Sequence, residues 1–194
     1  MHAKKEERTV QALFADLFGL DLRKRPESSA KSPDFDVYAG AQQIGVLEVK
    51  ALTTTDVALQ DMPAPTCFIG GLDDDNCTDR VERKLHQAVS QLDGFEVPRI
   101  LVFFNCYTEA DKFDLLEVLR GYLVFGDQRC TTLAAGALRR AYHDRARVDL
   151  CLWVEADSDE RPAIVSTTAR GSAFRQAYLQ RITGPEASST TAPV

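Results

Sequence analysis

The chain has 194 residues, of which 44% are apolar and 27% are charged, and its formal net charge is −6. This length suits one domain, and the ordinary glycine and proline contents exclude collagen-like, low-complexity and globally disordered proteins. The longest apolar runs fall far short of the roughly 20 residues of a membrane span, and the amino terminus lacks the apolar segment of a secretory signal. We therefore expect a cytoplasmic protein without a membrane span.

The cysteines and histidines do not form a ligand pattern. The five cysteines are widely spaced, with no Cys-x-x-Cys pair, and the three histidines are isolated. A zinc cluster needs paired ligands at short spacing, and a disulfide framework needs an even number of cysteines in a secreted protein. The sequence therefore predicts free thiols and no structural zinc.

Hydrophobic spacing in the first half predicts a helix, three strands, a second helix and a fourth strand. Apolar residues recur three and four positions apart from Val10 to Phe18, and Gly19 follows as a stop. A short glycine-containing linker between the second and third strands is typical of a hairpin. The predicted elements are a helix over 5–19, strands over 20–25, 35–38 and 44–51, a helix over 81–92 and a strand over 99–105.

Residues 53–79 form a turn-rich, acidic segment between the third strand and the second helix. The segment has six aspartates and no basic residue, and Pro63 and Pro65 interrupt any helix there. A loop of this length in a compact domain is more often functional or mobile than filler. Three interpretations stay open: a mobile flap, a docking surface for a protein partner, and a solvated loop.

The second half adds further helices and strands, so the sequence predicts a single α/β domain over residues 1–183. Its sheet is expected to be mixed, with helices on both faces. The tail over 184–194 is rich in Ser, Thr, Ala and Pro and is predicted to be disordered. The predicted elements are helices over 109–123 and 131–145, strands over 148–155 and 163–167, and a helix over 171–182.

The most informative charged residues lie on the predicted hairpin. Pro33-Asp34 opens one strand, and Glu48-Val49-Lys50 lies within the next. Because side chains alternate along a strand, Glu48 and Lys50 point to one face while Val49 points to the other. The hairpin brings Asp34 near Glu48. Two carboxylates and an amine are therefore expected to meet at one end of the hairpin.

Such a cluster suits metal-assisted hydrolysis of a phosphodiester. Two carboxylates a few ångströms apart repel each other unless a cation or a shared proton lies between them. Their oxygens suit a hard divalent ion such as Mg²⁺ or Mn²⁺, which lowers the pKa of a bound water and neutralises a phosphoryl oxygen. Asp36 has the parity of Asp34 and is either a second ligand or structural. The alternatives are a solvated turn carboxylate for Asp34 and an exposed ion pair for Glu48 and Lys50.

The order helix–strand–strand–strand–helix–strand, with Pro33-Asp34 and Glu48-Val49-Lys50 on neighbouring strands, resembles the PD-(D/E)XK, or restriction-endonuclease-like, nuclease superfamily. The resemblance covers about residues 5–105 and implies a restriction-endonuclease-like αβββαβ core with a carboxy-terminal α/β extension. It implies that Asp34 and Glu48 bind Mg²⁺ or Mn²⁺ together with the backbone carbonyl of Val49. It also implies that Lys50 is catalytic.

The resemblance assigns roles to both helices of the predicted core. Many members carry a glutamate on the first helix that reaches the metal, and Glu7 is the candidate here, with Glu6 nearly as well placed. The second helix often lines the substrate groove, which makes Lys84 and Gln87 candidate contacts for nucleic acid. The alternatives are a solvated helix face for Lys84 and Gln87, and for Glu7 an acid favoured only by the helix dipole.

The distribution of charge bears on a nucleic-acid substrate. A protein that holds a polyanion usually has a basic footprint, whereas this chain is acidic overall. Residues 120–147 carry six arginines against two aspartates, and Arg139 and Arg140 are candidate nucleic-acid contacts among them. A second basic cluster over 23–31 precedes Asp34. The acidic segment 53–79 is a candidate flap that competes with nucleic acid for the groove.

The leading hypothesis is a metal-dependent endonuclease acting on nucleic acid, DNA rather than RNA on the analogy alone. Cutting both strands often requires two active sites, so a homodimer is one expected assembly. The alternative from a different class is a non-catalytic interaction or assembly module on the same fold, with a protein partner on segment 53–79. A third is an unrelated α/β enzyme, although the sequence has no glycine-rich phosphate loop and no Gly-x-Ser-x-Gly elbow.

Overall fold

The computed structural model describes residues 5–26, 31–53, 77–106, 109–156, 158 and 160–179. Helices and strands alternate along most of the described chain. In chain order the elements are α1 (Lys5–Leu13), continued by a π-helical turn (Phe14–Phe18); β1 (Asp21–Lys24); β2 (Phe35–Ala39); β3 (Gln42–Leu52); α2 (Cys77–Leu92); β4 (Arg99–Asn105); α3 (Lys112–Arg120); β5 (Leu123–Phe125); β6 (Gln128–Cys130); α4 (Ala135–Arg145); β7 (Leu150–Glu155); β8 (Ala163–Ser166); and α5 (Ala169–Phe174), continued by a second π-helical turn (Arg175–Leu179).

The central sheet has six strands in the order β1–β2–β3–β4–β7–β8, while β5 and β6 form a separate hairpin. Strands β3, β4 and β7 run parallel at the centre, and the outer strands pair antiparallel. Every residue of β4 after Arg99 is buried. Parallel strands of this kind need cover on both faces of the sheet.

Helices supply that cover, and each face of the sheet has its own apolar core. On the α1 face, α1, α5 and the π-helical turns pack through residues such as Phe14 and Phe174. On the α2 face, α2, α3 and α4 pack through residues such as Leu85 and Ala141. The sheet is therefore the middle layer of three.

Strand β3 carries the motif residues, and its side chains alternate between the two faces. Val46 belongs to the α2-face core, whereas Leu47 and Val49 pack in the α1-face core. Glu48 and Lys50 share the parity of Val46 and lie on the α2 face. The strand thus directs both charged side chains toward α2, and their shared face is what the alternation predicts.

The predicted α/β class, the mixed sheet and the helices on both faces are confirmed. The ends of the elements shift by a few residues for local reasons. Helix α3 begins only after Asp111, whose side chain caps it by accepting from two backbone N–H groups, and it ends at Gly121, whose φ of 83° is left-handed. The four cysteines in the described ranges are free thiols, as predicted.

The structure differs from the prediction in two places. Residues 77–79, expected within the acidic loop, form the first turn of α2, where Thr78 Oγ1 donates to Asp114 Oδ1 of α3 at 2.9 Å. Residues 123–130 contain the β5–β6 hairpin, whose strands have three residues each and therefore give no alternation signal. Residues 54–76 of the acidic segment and the tail over 184–194 lie outside the described residues. None of the helices that are described is long and apolar enough to cross a membrane.

Candidate functional site

Asp34 and Glu48 meet where β2 pairs with β3. The register places Phe35 opposite Leu47, so Asp34 and Glu48 are neighbours at the end of the ladder. Glu48 Oε2 accepts a hydrogen bond from the Asp34 backbone N–H at 3.1 Å, and Asp34 Oδ2 accepts one from the Val49 backbone N–H at 2.9 Å. The peptide backbone of the hairpin therefore orients both carboxylates.

Lys50 lies beside Glu48 on the α2 face. Its Nζ donates to Glu48 Oε1 at 2.7 Å and to Gln91 Oε1 of α2 at 2.5 Å. Gln91 Nε2 also donates to the Ser32 carbonyl at 3.5 Å. Because an ammonium has three N–H donors, one of them can still donate to a ligand. Helix α2 therefore orients the lysine that β3 supplies.

A second lysine lies on the other side of Asp34. Lys24 of β1 places its Nζ 2.6 Å from Glu7 Oε2 and 3.6 Å from Asp34 Oδ1. Glu7 is buried on α1, at the α1 face of the sheet. The charged side chains thus form a row in the order Glu7, Lys24, Asp34, Glu48 and Lys50, in which Asp34 and Glu48 are neighbours of like charge.

Burial dominates the electrostatics of Glu48, which is 2% exposed. Burial and the neighbouring Asp34 charge raise the pKa of Glu48 to about 7, although Lys50 acts in the opposite direction. This carboxyl therefore keeps its proton to a higher pH than an ordinary glutamate does. Three carboxyl groups, those of Glu7, Asp34 and Glu48, face two ammonium groups, those of Lys24 and Lys50. A hard cation binds to oxygen ligands in such an acidic setting.

These side chains line one cleft of about 350 Å³. The cleft is lined by Asp34, Glu48 and Lys50 and by four residues of the two flanking helices. These are Glu6 and Glu7 of α1 and Lys84 and Gln87 of α2. A neighbouring cavity of about 390 Å³ shares Lys50 and Gln87 with the cleft and adds Lys31 and Arg147. The predicted trio, the predicted helix-1 glutamate and the predicted α2 contacts therefore lie on one continuous surface.

Asp34, Glu48 and the backbone carbonyl of Val49 are the groups that could hold a divalent cation. The described residues contain no group of three or more Asp, Glu, His or Cys side chains gathered in the manner of a metal site. A site here would rest on two carboxylates, one carbonyl and water, which suits Mg²⁺ or Mn²⁺ because these ions retain several waters. The adjacent carboxyl groups of Asp34 and Glu48 supply oxygen ligands of the kind that such an ion takes.

The remaining predicted residues lie elsewhere. Arg140 of α4 donates from Nε and Nη2 to the buried Glu82 of α2, at 2.9 and 3.2 Å, and Arg139 is exposed on α4. Neither arginine lines the cleft or its neighbouring cavity. Asp36 accepts from Arg25 Nη1 at 2.8 Å, which agrees with the structural interpretation of this aspartate.

The sequence contained weak signals for two residues of the site that were not assigned to it. Lys24 follows Leu20 and Leu22 at every second position of β1, so it is a lysine at a core-facing position of a strand. Gln91 follows Gln87 by four residues on α2 and therefore lies on the same side of the helix. Comparison of the chain with family models, with curated proteins and with solved structures gave no match.

Proposed function

We propose that the protein is a divalent-metal-dependent nuclease that hydrolyses phosphodiester bonds. The observation that carries the proposal is the convergence of Asp34, Glu48 and Lys50 in one cleft, with both carboxylates bonded to backbone N–H groups. Structural ion pairs seldom place a second, adjacent carboxylate against a buried one, because the two charges repel. A cation-binding role accounts for that arrangement.

The order of elements supports the same proposal. The chain runs α1–β1–β2–β3–α2–β4, the carboxylate of Asp34 stands at the start of β2, and Glu48-Val49-Lys50 lies on β3. This order and the two motif positions resemble those of the PD-(D/E)XK nucleases. The helix that follows β3 contributes Lys84 and Gln87 to the cleft, where a substrate backbone would pass.

The residues of the chain divide the work of hydrolysis. A divalent cation, when bound, supplies a Lewis acid that neutralises a phosphoryl oxygen and lowers the pKa of the attacking water. Asp34 and Glu48 would hold it, with the Val49 carbonyl as a third ligand. The Lys50 ammonium, oriented by Gln91, donates to the attacking water or to a phosphoryl oxygen and stabilises the charge that develops there. The water oxygen forms the new bond to phosphorus and gives up a proton to solvent, while the bond from phosphorus to the leaving oxygen breaks and that oxygen takes up a proton from solvent.

The cleft and the adjoining cavity have cationic side chains along one side of α2, which suits binding of a short stretch of a polyanion. Lys84 lines the cleft, and Lys31 and Arg147 line the cavity that adjoins it, so the cations follow one side of α2. Lysine and arginine side chains contact phosphates without reading the base. We therefore propose a substrate recognised through its backbone, with DNA favoured over RNA by analogy alone.

The test is cleavage by three isosteric variants, Asp34→Asn, Glu48→Gln and Lys50→Met. Each removes one charge from the site and leaves the side-chain volume nearly unchanged. Lys112→Met, on the exposed start of α3, is the matched control for loss of a lysine. Nicking of a supercoiled plasmid and cleavage of a labelled RNA are measured with Mn²⁺, with Mg²⁺ and with chelator.

We expect cation-dependent cleavage by wild type and Lys112→Met, and a loss of at least about 100-fold in each site variant. Cleavage of the plasmid but not of the RNA would support the assignment of DNA. Equal cleavage by all five proteins would show that a contaminant or another site does the chemistry. Absence of cleavage by wild type on both substrates would overturn the nuclease and favour the interaction module.

A further inference from the structure

The side chain of Lys24, on the edge strand β1, extends beside the apolar core and not into solvent. Its Cα pairs with Phe35 in the β1–β2 ladder, and it shares the parity of Leu22, which is buried in the α1-face core. The ammonium lies 5.1 Å from the centroid of the Phe35 ring, and the side chain is 28% exposed. The stem therefore crosses the edge of the apolar core, in contrast to the neighbouring Arg23, whose side chain is 52% exposed.

The end of that path is a pair of carboxylates. Glu7 has a side chain only 10% exposed, and its Oε2 is 2.6 Å from Lys24 Nζ. Asp34 Oδ1 lies 3.6 Å from the same nitrogen, on the side of the aspartate opposite to its contact with Val49. A carboxylate as buried as Glu7 is costly without a cation, and Lys24 provides one.

The ammonium is held in its charged form. Burial lowers the pKa of Lys24, but the hydrogen bond and charge of Glu7 and the charge of Asp34 outweigh burial, so the pKa is raised overall. A lysine in contact with two carboxylates carries its ordinary positive charge at neutral pH. A second cation that approached Glu7 and Asp34 would meet this charge at close range.

We propose that Lys24 is a positioning residue that occupies the cation position between Glu7 and Asp34 and limits the site to one divalent ion, held by Asp34 and Glu48. Glu7 then serves to anchor Lys24 and is not a metal ligand. This inference rests on the proposed function, because it concerns the ion that the nuclease would use. It differs from the role of metal ligand that the resemblance implied for Glu7.

The geometry explains why one ion is the limit. The two carboxylate oxygens of Asp34 have different partners. Oδ1 faces Lys24, and Oδ2 accepts a hydrogen bond from the Val49 N–H beside Glu48. A unit charge a few ångströms from a divalent ion alters its binding by at least about tenfold, even at an effective dielectric constant near 20. Removal of the ammonium would free Glu7 and Asp34 together for a second ion.

The experiment counts Mn²⁺ bound per chain by calorimetry and by the free-Mn²⁺ signal in electron paramagnetic resonance, without substrate. Four variants are compared with wild type: Lys24→Met, Lys24→Arg, the double variant Glu7→Gln with Lys24→Met, and Arg23→Met. The double variant removes both partners, so it leaves no buried charge without a partner. Arg23→Met removes a cation of the same strand that pairs with Asp21 and not with the site.

We expect one Mn²⁺ in wild type, Lys24→Arg and Arg23→Met, with affinities within threefold of one another. Lys24→Met should bind a second Mn²⁺ or bind the first at least tenfold more tightly. The double variant should return to one Mn²⁺, at least as tightly bound as in wild type, because Glu7 is not a ligand. If Lys24→Met does not fold, the Mn²⁺ count and affinity of the double variant still decide whether Glu7 is a ligand.

Other results would overturn the inference. Two Mn²⁺ in wild type, an unchanged count and affinity in Lys24→Met, or a double variant at least tenfold weaker than wild type would each do so. No Mn²⁺ in wild type but one in Lys24→Met would refute the metal-dependent nuclease while supporting Lys24 as the resident cation. No Mn²⁺ in any variant would refute both proposals.

Discussion

Asp34 and Glu48 each bind the backbone of the other's strand: the Asp34 N–H donates to Glu48 Oε2, and the N–H that follows Glu48 donates to Asp34 Oδ2. The pair is therefore part of the β2–β3 ladder as well as of the cleft. This reciprocity fixes the separation of the two carboxylates without help from a ligand. It also places a carboxyl group with a raised pKa, that of Glu48, where ordinary packing would place an apolar side chain.

Replacement of Glu48 by glutamine should change how stability depends on pH. Because the folded pKa of Glu48, about 7, lies above its ordinary value of 4.5, the folded chain binds this proton more tightly than the unfolded chain does. The stabilisation from this group is present below about pH 4.5 and is lost as the pH rises through 7. Glu48→Gln keeps a neutral side chain, so we expect it to exceed wild type in stability at pH 8 by about 3 kcal/mol, with little difference at pH 4.

Urea unfolding of both proteins at intervals from pH 4 to pH 8 measures this difference. Glu96→Gln, at an exposed carboxylate in the connection before β4, is the control and should follow wild type at every pH. Parallel pH profiles for wild type and Glu48→Gln would mean that burial does not raise the pKa of Glu48.

Gln91→Leu should lower the rate of cleavage more than it lowers cation affinity. The substitution removes the acceptor of the Lys50 ammonium and the donor to the Ser32 carbonyl, and it leaves Asp34 and Glu48 in place. A lysine that is free to change rotamer loses the orientation on which its contact with water or phosphate depends. We expect a fall of about tenfold or more in kcat, with Mn²⁺ affinity within threefold of wild type.

Single-turnover cleavage and Mn²⁺ titration of the same preparation separate the two effects. Gln42→Leu, at an exposed position at the start of β3, is the matched control. If Gln91→Leu weakened Mn²⁺ binding as much as it slowed cleavage, Gln91 would act on the carboxylates and not through Lys50.

Much of the fold could be predicted because the hydrophobic pattern and the burial agree. The alternation predicted that Glu48 and Lys50 share one face of β3, opposite Val49, and the burial of Val46 in one core and of Leu47 in the other agrees with that pattern. The β5–β6 hairpin could not be predicted in this way, since its strands have only three residues each and β6 is exposed at all three. The alternation of apolar and polar residues predicts a strand only where one face of that strand is buried in a core.

The site could be predicted only in part, for a different physical reason. Asp34, Glu48 and Lys50 are joined by one hairpin, so strand geometry alone brings them together. Lys24 and Gln91 join the site through pairing with β1 and packing of α2, contacts that depend on the tertiary structure. Arg140 shows another limit of the sequence, because its charge suggested a nucleic-acid contact while the structure adds that its guanidinium is bound to Glu82.

Substitution of Arg140 should lower Tm, whereas substitution of Arg139 should not. Arg140→Ala removes both hydrogen bonds to the buried Glu82 and leaves that carboxylate without its cation, so Tm should fall. Arg139→Ala removes an exposed side chain and should leave Tm unchanged. Anisotropy of a labelled duplex, with Ca²⁺ in place of Mn²⁺, should show equal DNA affinity for Arg140→Ala and wild type. Weaker DNA binding by Arg140→Ala without a change in Tm would place this arginine on the substrate path.

Gly171→Ala should lower the free energy of unfolding and abolish cleavage, although Gly171 does not line the cleft. A Cβ at Gly171 would lie 1.7 Å from the Asp149 carbonyl oxygen, so α5 must move away from β7. That movement would affect β3, because Phe174 of α5 lies within van der Waals reach of a Cβ built on Gly45. We expect a loss of about 3 kcal/mol in the free energy of unfolding, with loss of cleavage before the chain unfolds.

Gly136→Ala in α4 is the matched control for Gly171→Ala, since its Cβ would meet only the Arg140 side chain, at 3.9 Å. Alanine loses less conformational entropy than glycine in a helix, so this variant should gain up to about 1 kcal/mol and cleave as wild type does. Denaturant unfolding and plasmid nicking of the two variants give the comparison. Because both changes add one methyl group to a helix, a loss confined to Gly171→Ala would isolate the contact of α5 with the sheet as the cause. Equal stability of the two variants would mean that α5 can move without disturbing β3.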